Sequence, residues 1–263
     1  MNDRFRGSRL KIERAKKHLS DFHEMFALFS NPNCYSVRVE ENLEKKTHSL
    51  RFDIDMSGFD TIGDDATLII GDVLHNLRSA LDHLYYQLVR ACGGAPTDWT
   101  RFPIDDTREE VERRIREALR KGQINSEVAD ILLNQVKPYR VGNPALWGLH
   151  KLNILDKHEK IVPTLKLMGF IGVRLENEDG EKVGLTDYIA EKSCLIPLTG
   201  TYRQKITLKD KGRPSANIFF NVGASGFEGE PVFPRLKGVA EEVTRTVDTF
   251  EHFFSLRGQA TQP

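Results

Sequence analysis

The stretch Gly71-Asp72-Val73-Leu74-His75-Asn76-Leu77-Arg78-Ser79-Ala80-Leu81-Asp82-His83 decides the fold class. At about 100° per residue, Leu74, Leu77, Leu81 and the following Leu84 fill one arc of a helix, and Asp72, His75, Asn76, Arg78, Ser79, Asp82 and His83 fill the other. A helix divided in this way buries one side in a core. The spacing predicts a helix from Leu68 to Val89, with apolar positions at Val73, Leu77, Ala80, Leu81, Leu84 and Leu88. It starts near Asp64 and Asp65, and Gly93-Gly94 stops it.

Working outward, helical spacing recurs before this stretch at Leu10, Ile12, Ala15, Leu19, Phe22, Phe26 and Phe29, up to a stop at Asn31-Pro32. Tyr35, Val37 and Val39, then Leu50, Phe52, Ile54 and Met56, alternate with polar residues and predict a hairpin at 35–56 with one wet face. After it, Thr107 and Glu110 form a capping-box signature for a charged helix that ends at Lys121-Gly122. Asn125-Ser126 opens a short apolar helix closed by Pro138, and Asn143-Pro144 caps another to about His158. From Ile161 the pattern turns to β-rich runs at 164–176, 194–198, 203–209 and 218–222, and Pro234 begins an amphipathic helix with Leu236, Val239, Ala240, Val243, Val247, Phe250 and Phe254 on one face. The expectation is an α+β fold: a helical bundle with an N-terminal β-hairpin and a C-terminal antiparallel sheet closed by a final helix. It is read as one domain over 1–263, mainly helical over 1–160, with a β-rich insertion at 161–233 and a closing helix at 234–257.

Thirty-eight basic side chains balance thirty-eight acidic ones, so the net charge is +0, which argues against bulk electrostatic capture of duplex DNA or of an anionic membrane. Cys34, Cys92 and Cys194 are odd in number and far apart, which argues against a disulfide framework and a cysteine-rich zinc site. The longest charge-free run, Pro214 to Phe227, is broken by Gly and Asn, so the expected setting is cytoplasmic, with no membrane partner. The segment Thr47 to Arg108 contains neither Lys nor Glu, the usual residues of a solvated surface. This absence predicts that the segment, with the polar face of the 68–89 helix, is shielded by the protein, a partner or a ligand. A second polar cluster, His150, Asn153, Asp156, Lys157 and His158, lies on the helix capped by Asn143 and is expected to face the first.

The Arg78-x4-His83 spacing on a bundle helix resembles the signature of the HEPN superfamily. That resemblance implies a metal-independent ribonuclease that acts on single-stranded RNA across a homodimer interface. Arg78 would hold the phosphate, His83 would move the proton of the 2′-hydroxyl or of the leaving oxygen, and His75 is a further acid or base. Asn76, Ser79, Asp82, His150 and Asn153 would support them, with no cofactor. The string from His75 to His83, together with the run Leu152 to His158, also resembles a group of bacterial proteins over roughly the first 160 residues, and that likeness implies no function. Two other readings use the same residues. Asp72-x-x-His75 has a helix-bundle metal spacing that His83, His150 and Asp156 can complete. Alternatively, the 61–92 helix face binds a partner or a second copy without chemistry. Phosphate-binding and dinucleotide glycine loops are absent from the chain.

Overall fold

The computed structural model describes residues 3–27, 35–44, 47–54, 59–158, 164–183, 194–198, 204–221 and 226–260. The stop at Asn31-Pro32 lies outside them. The elements run α1 (Arg6–Ala27), β1 (Tyr35–Asn42), β2 (Thr47–Ile54), α2 (Phe59–Ala91), α3 (Arg108–Arg120), α4 (Ser126–Asp130), α5 (Pro144–His158), β3 (Thr164–Glu176), β4 (Cys194–Leu198), β5 (Thr207–Phe219) and α6 (Val232–Ala260). The fold is α+β, as the periodicities require. Chain contacts group it into two compact units: Met1–Phe22, Ala66–Val162 and Phe220–Pro263 form one, and His23–Asp65 with Pro163–Phe219 form the other.

In the helical unit each long helix touches two others. Lys11 of α1 donates to Asn76 of α2 at 3.3 Å, and Gly71 of α2 lies against the Asp156 carboxylate of α5. Asn143, the cap of α5, donates to Glu242 of α6 at 2.8 Å, and α6 returns to α1 through the Arg9–Glu251 pair and the stacked rings of Phe22 and Phe233. Four helices therefore close a ring around Ile12, Ala15, Val73, Leu77, Leu149, Leu152, Val243 and Val247, each at most 1% exposed. Each fully buried aliphatic side chain contributes about 1.5–3 kcal/mol relative to its exposed state. The expected apolar face of α6 is buried from Leu236 to Phe250. Leu10, expected on the apolar face of α1, is instead 59% exposed, and Leu68, the expected start of the second helix, is 69% exposed.

Local signals place the shorter helices. Thr107 and Glu110 exchange both capping-box bonds, and Asn143 Oδ1 accepts from the Leu146 N–H at 3.1 Å. The apolar helix expected over 125–138 is composite: α4 passes into a π-helical segment, Ile131–Val136, that ends at Lys137 in a left-handed conformation (φ 53°) before Pro138.

In the second unit, β1 and β2 pair antiparallel as the expected hairpin, from Tyr35 opposite Ile54 to Asn42 opposite Thr47, and β4 adds to β2. Its wet face carries an ionic ladder in which Glu40 pairs with Arg38 at 3.1 Å and Arg51 at 2.7 Å. A second, two-stranded sheet joins β3 and β5, and the core between them includes Tyr35, Phe52, Phe170 and Val173. The runs expected at 203–209 and 218–222 form one strand of thirteen residues, β5. The strand runs through Gly212 and Pro214. In a two-stranded sheet every strand is an edge, so a proline opposite Phe170 removes no central ladder bond.

Candidate functional site

Viewed down α2, the polar arc has an exposed centre and two buried flanks. Asp72, His75 and His83 are exposed and Ser79 and Asp82 half-buried, whereas Arg78 and Asn76 on the flanks are only 6% and 8% exposed. The shielding expected of the whole face is therefore realised within the chain at two positions and not at Asp72, His75 or His83.

Arg78 does not point into a cleft. Its Nη2 donates to the Phe102 carbonyl at 3.0 Å, and its Nη1 lies 2.9 Å from Asp82 Oδ1 as an ion pair rather than an aligned hydrogen bond. The same Asp82 oxygen accepts the Phe102 N–H at 2.9 Å. An i,i+4 Arg–Asp pair thus satisfies both backbone polar groups of Phe102, a residue with no exposed surface. Burial lowers the Arg78 guanidinium from its ordinary value and Asp82 opposes the shift; the group keeps its charge.

His83, about 140° further round the helix, lies beside α1, where a Cβ on Gly7 would come within 2.9 Å of its Nδ1. Arg78 and His83 are thus not brought together within the chain. Asn76 is fixed by donating to the Asp72 carbonyl at 2.8 Å and accepting from Lys11. Asn153 is buried on α5, while His150 is half-buried with Nδ1 inaccessible and unpartnered. Burial, reinforced by the cations Arg78, Lys151 and Arg114, holds the His150 imidazole at about 4, so it is neutral at pH 7. Asp156 is held above the ordinary carboxylate range by burial and by Asp72.

The metal set falls apart geometrically. Asp156 lies near Asp72 and His75, His150 belongs to the Arg78 and Asp106 environment, and His83 sits against α1. Among the described residues no three His, Cys, Asp or Glu side chains gather to hold an ion.

The clamp on Phe102 points to residues that spacing did not reveal. It fixes the segment Thr97 to Pro103, which with α3 lines a groove of about 200 Å³ containing Trp99, Arg101, Arg114 and Lys121. A tryptophan in the polar run Thr97-Asp98-Trp99-Thr100, outside every periodic apolar run, was the available signal. Compared with family models, curated proteins and solved structures, the chain matches none. No described helix is long and apolar enough to cross a membrane.

Proposed function

We propose that the protein is a non-catalytic helical binding protein whose α2 face joins two copies of the chain. The observation that carries this reading is the surface stripe of exposed Leu68, Asp72, His75, His83, Tyr86 and Arg90 with half-buried Ser79 at its middle, which holds no Lys or Glu and leaves Leu68 69% and Tyr86 40% exposed. Isolated surface apolar residues need no explanation, but an apolar residue near each end of a stripe lacking the usual surface residues favours a covered face. The stripe is also self-complementary. Antiparallel pairing about Ser79 sets Leu68 beside the stem of Arg90, Asp72 beside the Tyr86 hydroxyl and His75 beside His83, with the small serine at the two-fold axis.

The ribonuclease reading has weaker support, because the guanidinium it needs for phosphate is committed to Asp82 and Phe102. Sedimentation velocity tests the proposal. The wild-type chain should sediment at about 60 kDa, twice its 30.0 kDa mass, in the micromolar range. Ser79→Arg, which sets two cations face to face at the axis, should sediment as a monomer with unchanged helicity. A wild-type monomer at about 100 µM, or a Ser79→Arg dimer as tight as wild type, overturns it.

A further inference from the structure

We infer that the groove between the Thr97–Pro103 segment and α3 binds a nucleotide, its base stacked on Trp99 and its phosphate held by Arg101. Trp99 is 88% exposed, and its backbone sits in a hydrogen-bonded turn. The Thr97 hydroxyl accepts the Trp99 N–H at 3.3 Å, the Thr100 hydroxyl accepts the Thr97 N–H at 2.8 Å, and the Thr100 N–H closes on the Thr97 carbonyl at 2.9 Å. Two residues further on, Arg78 and Asp82 grip both backbone groups of Phe102. A large indole is thereby presented to solvent on a turn braced from both ends, so the backbone that carries it needs no ordering on binding.

The electrostatics select the ligand. Arg101, Arg114 and Lys121 line the groove against one carboxylate, Glu117. Lys121 is paired with Glu117 at 2.6 Å and Arg114 with Asp105 at 3.1 Å. Arg101 has no carboxylate partner among the described residues, and its Nη1 reaches only the neighbouring Thr100 carbonyl at 3.5 Å. A free guanidinium two residues from an exposed indole offers a planar fork for phosphate beside a π-face for a ring. The floor is apolar: Tyr85, 6% exposed, packs edge-on against Phe102 at 6.1 Å, and burial pushes its phenol up to about 12, so it brings no negative charge. At about 200 Å³ the groove is smaller than the ~300–1,000 Å³ of sites that enclose drug-sized molecules, which suits one planar ring lying open at an edge. The ligand is a free mononucleotide or one unpaired nucleotide of single-stranded RNA. This site does not depend on the α2 stripe.

Tryptophan emission of the full chain provides the test. The chain has two tryptophans, and Trp147 is 8% exposed with its Nε1 bonded to Asp106, so a ligand-dependent change reports Trp99. AMP and an oligoadenylate about ten nucleotides long are titrated separately, with adenosine as the phosphate-free control. At least one of the two phosphate ligands should quench saturably. Arg101→Ala, and adenosine in place of AMP, should each weaken binding about tenfold or more, and Trp99→Ala should do the same by calorimetry. An oligomer bound about tenfold tighter than AMP assigns the site to an RNA strand, and equal affinity assigns it to the free nucleotide. Because Trp99 and Arg101 are exposed, both variants should melt at the wild-type temperature. Absence of saturable quenching by both ligands, adenosine binding as well as AMP, or unchanged affinity in Arg101→Ala overturns the inference.

Discussion

Removing the Arg78 side chain leaves the Phe102 carbonyl without its donor and Asp82 without its cation, both in a poorly hydrated position. Breaking such a pair by deleting one partner typically costs about 3–5 kcal/mol. Arg78→Ala should therefore lower unfolding stability by about 3 kcal/mol in urea titration, whereas His83→Ala, at an exposed site, should stay within about 0.5 kcal/mol of wild type. His150 supplies a pH signature. Its imidazole titrates near 4 in the folded chain against an ordinary 6.5, so below 6.5 the unfolded chain takes up a proton that the folded chain refuses. Stability should fall as pH drops from 6.5 towards 4, by about 3 kcal/mol at the upper limit, and then level off. Denaturation of His150→Leu across that window should show a flatter profile; an unchanged slope would remove His150 as its source. The residue types of the polar face were legible in the sequence, but the division between anchored and free ones was not. Arg78 lies in line with the other polar residues on a helical wheel, and only the arrival of Phe102, twenty-four residues later, turns it inward.

At the scale of elements, the signals that proved reliable are those with a local mechanism. The Thr107–Glu110 box forms both of its bonds, so Thr107→Ala should cost about 1 kcal/mol and lower the melting temperature by a few degrees. The continuity of β5 was not legible, because a proline such as Pro214 is tolerated in a strand paired on one side only, and one sequence does not say how many neighbours a strand has. The length of α2, thirty-three residues against the twenty-two expected from Leu68 to Val89, was equally hidden. Its first turns lie beyond the apolar stripe that marked it. Close packing between elements was also invisible. A Cβ on Gly148 of α5 would lie 2.4 Å from the Phe227 ring. Gly148→Ala should therefore destabilise by about 1–3 kcal/mol through overpacking, despite the better helix propensity of alanine, and a melting temperature at or above wild type would contradict that reading.

Across the whole molecule, thirty-eight basic side chains balance thirty-eight acidic ones. With a net charge of +0, bulk attraction of a polyanion is weak, so the proposed nucleotide contact is confined to one groove. The hairpin and the later strands were each legible by alternation, while their union in a second unit depends on β4 pairing with β2, across about 150 residues of intervening chain, which periodicity cannot encode. On the proposed reading the Arg78 and His83 face of α2 is scaffold and contact surface rather than a reaction centre. Incubating the full chain, in EDTA, with labelled single-stranded RNA in parallel with Arg78→Ala and His83→Ala separates the two. The RNA should stay intact in all three samples, even with protein in excess. Wild-type cleavage to 2′,3′-cyclic phosphate ends, lost by a factor of about a hundred or more in His83→Ala while that variant melts at the wild-type temperature, would overturn that reading.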